Sequence, residues 1–186
     1  MELDLTGIND PFKGMLAGLT QIDVREEIAL TQIPSPKGIA PEAIAISAEV
    51  NHEISSDHGV SRLVFCRDPE QPEGWNSDFR IIGYAKSPIE LEMAQDDYSA
   101  ALAWEWLKDS LLAAGANFAA EAGTTTTVVS TGHGGLITQP QHAELEIRAS
   151  WAPTSYDLAA HLSAWIELLA LISGLPPKDS KVVRIG

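Results

Sequence analysis

Disulfides, a basic surface and a membrane-length apolar run are all missing from this sequence of 186 residues. With a single cysteine, Cys66, no bridge can form within the chain, and a chain this long buries enough core to need none, so a reducing compartment is the expectation. Only 12 lysines and arginines stand against 26 aspartates and glutamates, a formal net charge of −14. Nucleic-acid binding relies on cations that neutralise phosphates, and this deficit argues against RNA or DNA as a partner. The most apolar stretch, residues 164–172 (AWIELLALI), contains Glu167 and falls far short of the ~20 residues a membrane span takes. The opening string MELDLTGIND carries acids where an export signal would carry positive charge ahead of an apolar run. The expectation is a soluble, cytoplasmic protein with neither membrane nor nucleic acid as partner.

What is present is core material: 45% of residues are hydrophobic and five are tryptophan. That excludes a disordered chain and fits one domain over residues 1–177, followed by a short tail, 178–186, in which Lys178, Lys181 and Arg184 face only Asp179.

Asp10 followed by Pro11 predicts a helix start, with a short helix over 12–19. Ile22, Val24, Ile28 and Leu30 alternate with polar residues in strand period, and Ile44, Ile46, Ala48 and Val50 do so again after a connector stiffened by Pro34, Pro36 and Pro41. Turn residues at 54–59 predict a hairpin into a third strand over 60–67, and a fourth strand spans 79–86. From 95 to 114 the period becomes helical, with Ala100, Trp104, Leu107 and Leu111 in one stripe and Gly115 at the cap. Two strands follow. In the second, Ala143, Leu145, Ile147, Ala149 and Trp151 face one way and Glu144, Glu146, Arg148 and Ser150 the other. The last helix opens near Thr154 and Asp157, in capping-box spacing, and stops at Gly174 before Pro176 and Pro177. Its stripe is Leu158, Leu162, Trp165, Leu169 and Ile172, and Leu168 and Leu171 widen it toward two-sided packing. This order predicts an α+β fold: an antiparallel sheet of about six strands, with two long helices and one short N-terminal helix mainly on one face.

Catalytic chemistry is thinly signalled. Gly132-His133-Gly134-Gly135 is similar to part of an esterase oxyanion loop, but the chain has no G-x-S-x-G nucleophile elbow, and the loop equally reads as a plain connection between strands. The five histidines show no metal-ligand spacing; His52 and His58 would meet only across a hairpin. No metal or cofactor motif is present. Glu26 sits where the first strand's alternation would bury it, as a catalytic acid with a raised pKa or as an inward charge on an edge strand, unless a bulge turns the side chain out. The loop 74–80 (GWNSDFR) carries Trp75 and Asp78, which fit a ligand contact or a tryptophan lid over the core. On the central helix, Leu102 and Trp106 lie off the core stripe among Glu105 and Asp109, either sandwiched in the domain or forming an acid-rimmed apolar patch.

Several strings together resemble a known family: Arg62-Leu63-Val64 leading to Asp68-Pro69, then WNSDFR at 75–80, Glu92-Met93-Ala94, ELEIRASWAP at 144–153 and DLAAHLSAWIELLALISGLPP at 157–177. They resemble the actinobacterial family catalogued as domain of unknown function three thousand, over residues 11–177. The resemblance implies a cytosolic actinobacterial protein and brings no activity, cofactor or site residue. The element order alone is similar to small acidic secretion chaperones, which dimerise and bind extended client segments.

Two functions are therefore carried forward. The first is a non-catalytic protein-binding or adaptor domain, with a protein partner or a second copy of itself meeting Leu102, Glu105, Trp106 and Asp109. The second is a small enzyme or ligand-binding domain with a pocket between the sheet and the 74–80 loop, drawing on Glu26, Trp75, Asp78 and His133. The acids Glu90, Glu92, Asp96, Asp97, Glu105 and Asp109, with Lys108 the only base among them, call for a partner that is basic around an apolar centre.

Overall fold

The computed structural model describes residues 1–51, 58–138 and 141–178. The expected hairpin turn, His52 and the tail beyond Lys178 lie outside the described residues. The element order is α1 (Asp10–Leu16), a 3-10 turn (Ala17–Thr20), β1 (Ile28–Ile33), β2 (Glu42–Val50), β3 (Val60–Arg67), β4 (Phe79–Ile89), α2 (Leu91–Ala94), α3 (Ser99–Ala113), β5 (Phe118–Ser130), a 3-10 turn (Gly134–Leu136), β6 (His142–Pro153) and α4 (Leu158–Ile172). All strands pair antiparallel in the order β1-β2-β3-β4-β6-β5. The α+β class is as expected.

Alternation sends Ile44, Ile46, Leu63, Phe65, Ile81, Ala85, Leu145, Ile147 and Trp151 to one face of the sheet. There they form a single buried cluster with Phe12 and Leu16 of α1, Ala103, Leu107 and Leu111 of α3, and Leu162, Trp165 and Leu169 of α4. The opposite face carries a smaller cluster, Ala45, Val64 and Cys66, overlaid by Ile39 and Ala40 of the proline connector and by Trp75.

One row across the sheet is built from small residues. Gly83 of β4 pairs with Ala149 of β6, which pairs in turn with Gly123 of β5. A Cβ on Gly83 would stand 2.5 Å from the Trp165 ring, and one on Gly123 would stand 2.7 Å from the Trp104 ring. The missing side chains leave a trough that receives one tryptophan from α4 and one from α3, which sets how closely both helices approach the sheet. Behind Trp165 lies Trp151, ring centroids 5.9 Å apart, and its indole N–H donates to Nδ1 of the fully buried His161 at 3.0 Å.

α4 is buried on two sides, as its composition suggests: Leu158, Leu162, Trp165, Leu169 and Ile172 are covered, and so are Ala164, Ile166, Leu168 and Ala170. Leu171 is the exception, 45% exposed. The cap is Asp157 itself, whose carboxylate accepts the Ala160 N–H at 3.2 Å, so Asp157 opens the helix instead of sitting one turn inside it. α3 and α4 end alike. Gly115 and Gly174 adopt φ of 70° and 68°, and the following N–H groups bond back to Leu111 and Ala170, satisfying carbonyls that the last turns leave open.

Three expectations shift. α1 begins at Asp10 with Asn9 at the cap position, and the Asn9 amide is turned away to donate to Glu42. The buried stripe of α3 is Ser99, Ala103, Leu107 and Leu111, leaving Ala100 and Trp104 on its flank against β5, where Thr125 Oγ1 donates to the Ala100 carbonyl at 2.7 Å. The first strand starts only at Ile28, because the Ile28 N–H bonds to the Arg25 carbonyl in a turn that breaks the alternation. That turn buries Arg25 and leaves Glu26 exposed. Arg25 donates to the Pro176 carbonyl at 2.8 Å and pairs with Glu27 at 3.3 Å.

Gly83→Ala should cost about 1–3 kcal/mol in urea unfolding, because Trp165 has nowhere to retreat. Gly14→Ala in α1, where a new Cβ meets nothing within 4 Å, should gain about 0.5–1 kcal/mol. A third prediction concerns pH. Burial pushes His161 down to about 4 from 6.5, outweighing the Asp157 carboxylate and the Asn117 backbone, which favour the charged ring. The unfolded chain thus binds a proton that the folded chain refuses. The stability this contributes is full above pH 6.5 and declines as pH falls toward 4. Between pH 7 and 5 the loss should be about 2 kcal/mol, and His161→Phe should flatten that slope in urea titrations at the two pH values.

Candidate functional site

A concavity of about 670 Å³ opens where four segments meet. β4 runs out at Ser87, Pro88 and Ile89 and turns into α2, bringing Glu90, Leu91, Glu92 and Met93; α3 contributes Trp106; β6 begins with His142 and Ala143; α4 closes the far wall with Leu171, Ile172, Ser173 and Gly174. The lining is mixed: each segment presents apolar side chains that its own core stripe leaves over, alongside the polar Ser87, Gln141, His142 and Ser173. Trp106 lies on the flank of α3 and is half-buried, and Leu171 is the one large side chain of α4's second half turned outward. The rim is anionic: Glu90 and Glu92 are exposed, and the C-terminal end of α4 adds the partial negative charge of its last carbonyls. Lys86, the nearest cation along β4, is held by Glu144 at 2.7 Å, an attraction that raises its pKa and keeps it charged but engaged.

The four residues expected on a partner surface divide. Trp106 lines this cleft. Leu102, one turn earlier on the same flank, is 47% exposed, and Asp109 is exposed one turn later. Glu105 points into solvent and is engaged by Lys108 at 3.0 Å. Leu102 is thus open to solvent and Trp106 half-buried, whereas Trp104 lies over β5.

Two smaller depressions, about 430 and 360 Å³, flank the exposed Tyr156, and the second lies between the 74–80 loop, through Asn76, Ser77, Asp78 and Phe79, and the sheet, through Ala119, Ala152 and Pro153. Asp78 lines both, whereas Glu26, Trp75 and His133 line neither. Trp75 instead covers Val64 and Cys66 on the far face of the sheet, which is the lid reading. His133 is exposed beside the Gly134–Leu136 turn. Glu26 is in solvent, so no buried acid stands there. Asp78 itself faces Arg67 at 3.8 Å, and Arg67 also holds the buried Glu42 at 3.3 Å.

Other chemistry-bearing groups are committed to the fold. Arg80 is buried on the outer face, donating to the Ser150 hydroxyl at 2.8 Å, and desolvation lowers its pKa; its Nη1 has no partner among the described residues. Cys66 is enclosed, and burial pushes its thiol up to about 12. Among the described residues, no group of three His, Cys, Asp or Glu side chains is placed to hold a metal ion, and no helix is long and apolar enough to cross a membrane.

A family model described as a protein of unknown function (DUF3000) matches residues 8–183. No curated protein and no solved structure matches the chain.

Because the Cys66 thiolate is disfavoured by burial, its reaction with an aromatic disulfide reagent at pH 8 should be slower by at least ~100-fold in the native protein than in urea. Equal rates in the two states would mean that the Trp75 cover opens freely.

Proposed function

The chain belongs to the DUF3000 family of proteins of unknown function, and from its geometry we propose that it is a non-catalytic protein-binding domain that docks a basic, apolar-anchored segment of a partner protein. The observation that carries this reading is the cleft around Trp106, where the apolar side chains of Ile89, Met93, Trp106 and Leu171 lie together with the carboxylates of Glu90 and Glu92 and the end of α4. A hydrophobic side chain gains by leaving water against those apolar side chains, while flanking Lys or Arg side chains meet the carboxylates. Like charge on the rim repels acidic segments, so the same acids give selectivity. The helix, four-strand, helix, two-strand, helix order, similar to that of small acidic secretion chaperones, agrees with client binding but carries no weight of its own. A cytoplasmic location fits the lone, buried thiol.

The competing reading, a small enzyme or ligand-binding domain, draws on the depressions beside Tyr156. It is the weaker, since Glu26 stands in solvent and Asp78 is already opposed by Arg67.

Short peptides carrying leucine anchors flanked by Lys and Arg, by Glu, or by Ser discriminate between these readings in calorimetric titrations. The basic set should bind, weaken as salt rises, and lose at least ~10-fold in affinity on Trp106→Ala or on Glu90→Lys with Glu92→Lys. Equal affinity for the glutamate-flanked set, or unchanged affinity in the variants, would exclude this cleft as the docking site.

A further inference from the structure

The sheet has two edges, and they are treated differently. β1 is six residues long, and the N-terminal segment lies against it: the Asp4 N–H donates to Gln32 Oε1 at 2.6 Å, and Gln32 Nε2 donates back to the Asp4 carbonyl at 2.9 Å. β5 is thirteen residues long and, among the described residues, pairs only with β6. Its protective features sit in its first part, where Ala120 takes a φ of 53°, the register slips between Ala119 and Ala122, and Glu121 supplies the strand's single charge. From there to Ser130 the strand reads AGTTTTVVS, with no charge, no proline and six consecutive β-branched residues. Exposed strand edges are normally blunted by lysine, proline, a bulge or a cover, because a row of open N–H and C=O groups templates another strand. Among the described residues, the second part of β5 has none of these.

We propose that residues 122–130 of β5 pair antiparallel with the same segment of a second copy of this chain, joining two sheets into one across a two-fold axis. Self-pairing is favoured over a foreign strand by its charge pattern. With the axis at Thr126, Thr124 meets Val128 of the second copy, and Glu121 meets Thr131. No like charges come face to face, although the chain as a whole carries −14. The interface is isologous and closes at two copies, because each chain offers one such edge. α3 covers the inner face of β5, so pairing uses only the open edge and leaves the Trp106 cleft to its own partner.

Light scattering of the eluting full chain at tens of micromolar should give twice 20.0 kDa. Thr126→Lys with Val128→Lys changes two exposed side chains that pair in-chain with Glu146 and Glu144, so the fold is retained while the new lysine at 126 meets its own copy across the axis and the one at 128 lies diagonal to it. That variant should return the mass to 20.0 kDa with its melting temperature essentially unchanged. Hydrogen exchange gives a second readout: consecutive amides of 124–129 should be protected in the wild type, and only alternate ones in the variant, since an edge strand bonds every other N–H. Trp106→Ala should leave the dimer intact. A monomer at these concentrations would overturn the proposal, as would a dimer that survives the paired lysines or dissolves on Trp106→Ala.

Discussion

The seating of the helical layer depends on the trough formed by Gly83, Ala149 and Gly123. Two indoles reach down to the backbone of the sheet there, one from α3 and one from α4. Trp165 carries α4 into contact with the sheet, Trp151 backs it, the hydrogen bond from Trp151 to His161 fixes the ring orientation, and burial keeps the imidazole neutral. Once α4 is placed at that depth, the outward turn of Leu171 and the position of Gly174 follow from its period. The cleft is thus a by-product of how deeply the helix is seated, and its shape is as rigid as the core beneath it.

Charge is distributed with a similar economy. On the outer face the acids of β6 are matched by bases: Lys86 with Glu144, Arg148 with Glu146, and Arg148 stacked over Tyr84 at 5.4 Å. Arg25 and Arg67 are each shared between two acids. With so many of the few bases engaged, the surplus of carboxylates is left to surfaces such as the rim of the Trp106 cleft. The net charge therefore acts locally, as a field over one concavity, and its influence on encounter rates concentrates there.

The elements with clean periodicity were legible in the sequence, and those governed by a tertiary detail were not. β6 alternates from Ala143 to Trp151 just as its residues suggest, and Gly115 and Gly174 end their helices as glycines at those positions should. β1 misled because Ile22 and Val24 mimic an alternation that a turn at Arg25 interrupts. The turn is a backbone hydrogen bond with no side-chain signature, and it moves the buried charge from Glu26 to Arg25. The acids of the cleft and the off-stripe position of Trp106 could be read from the helix. Ile89 and Met93 could not, because a strand end and a single helical turn have no period to detect. Gly83 gave no warning either: a glycine inside a strand has meaning only once the ring lying on it is known.

The pairing of β4 with β6 also has a kinetic side. β1 to β4 is a meander of neighbours, and β5 with β6 is a hairpin; each can form from contacts close in the chain. The seam between them is not local, for its nearest pair in sequence is Ile89 with Ala143, and Ile81 reaches Trp151. Closing it means bringing together the ends of a loop that contains α2, α3 and a whole strand, an entropic cost met before Trp165 can settle on Gly83. The rate at which this protein folds should therefore be governed by that one seam, with each half half-formed and waiting, and substitutions along it should slow folding more than equally costly ones within either half.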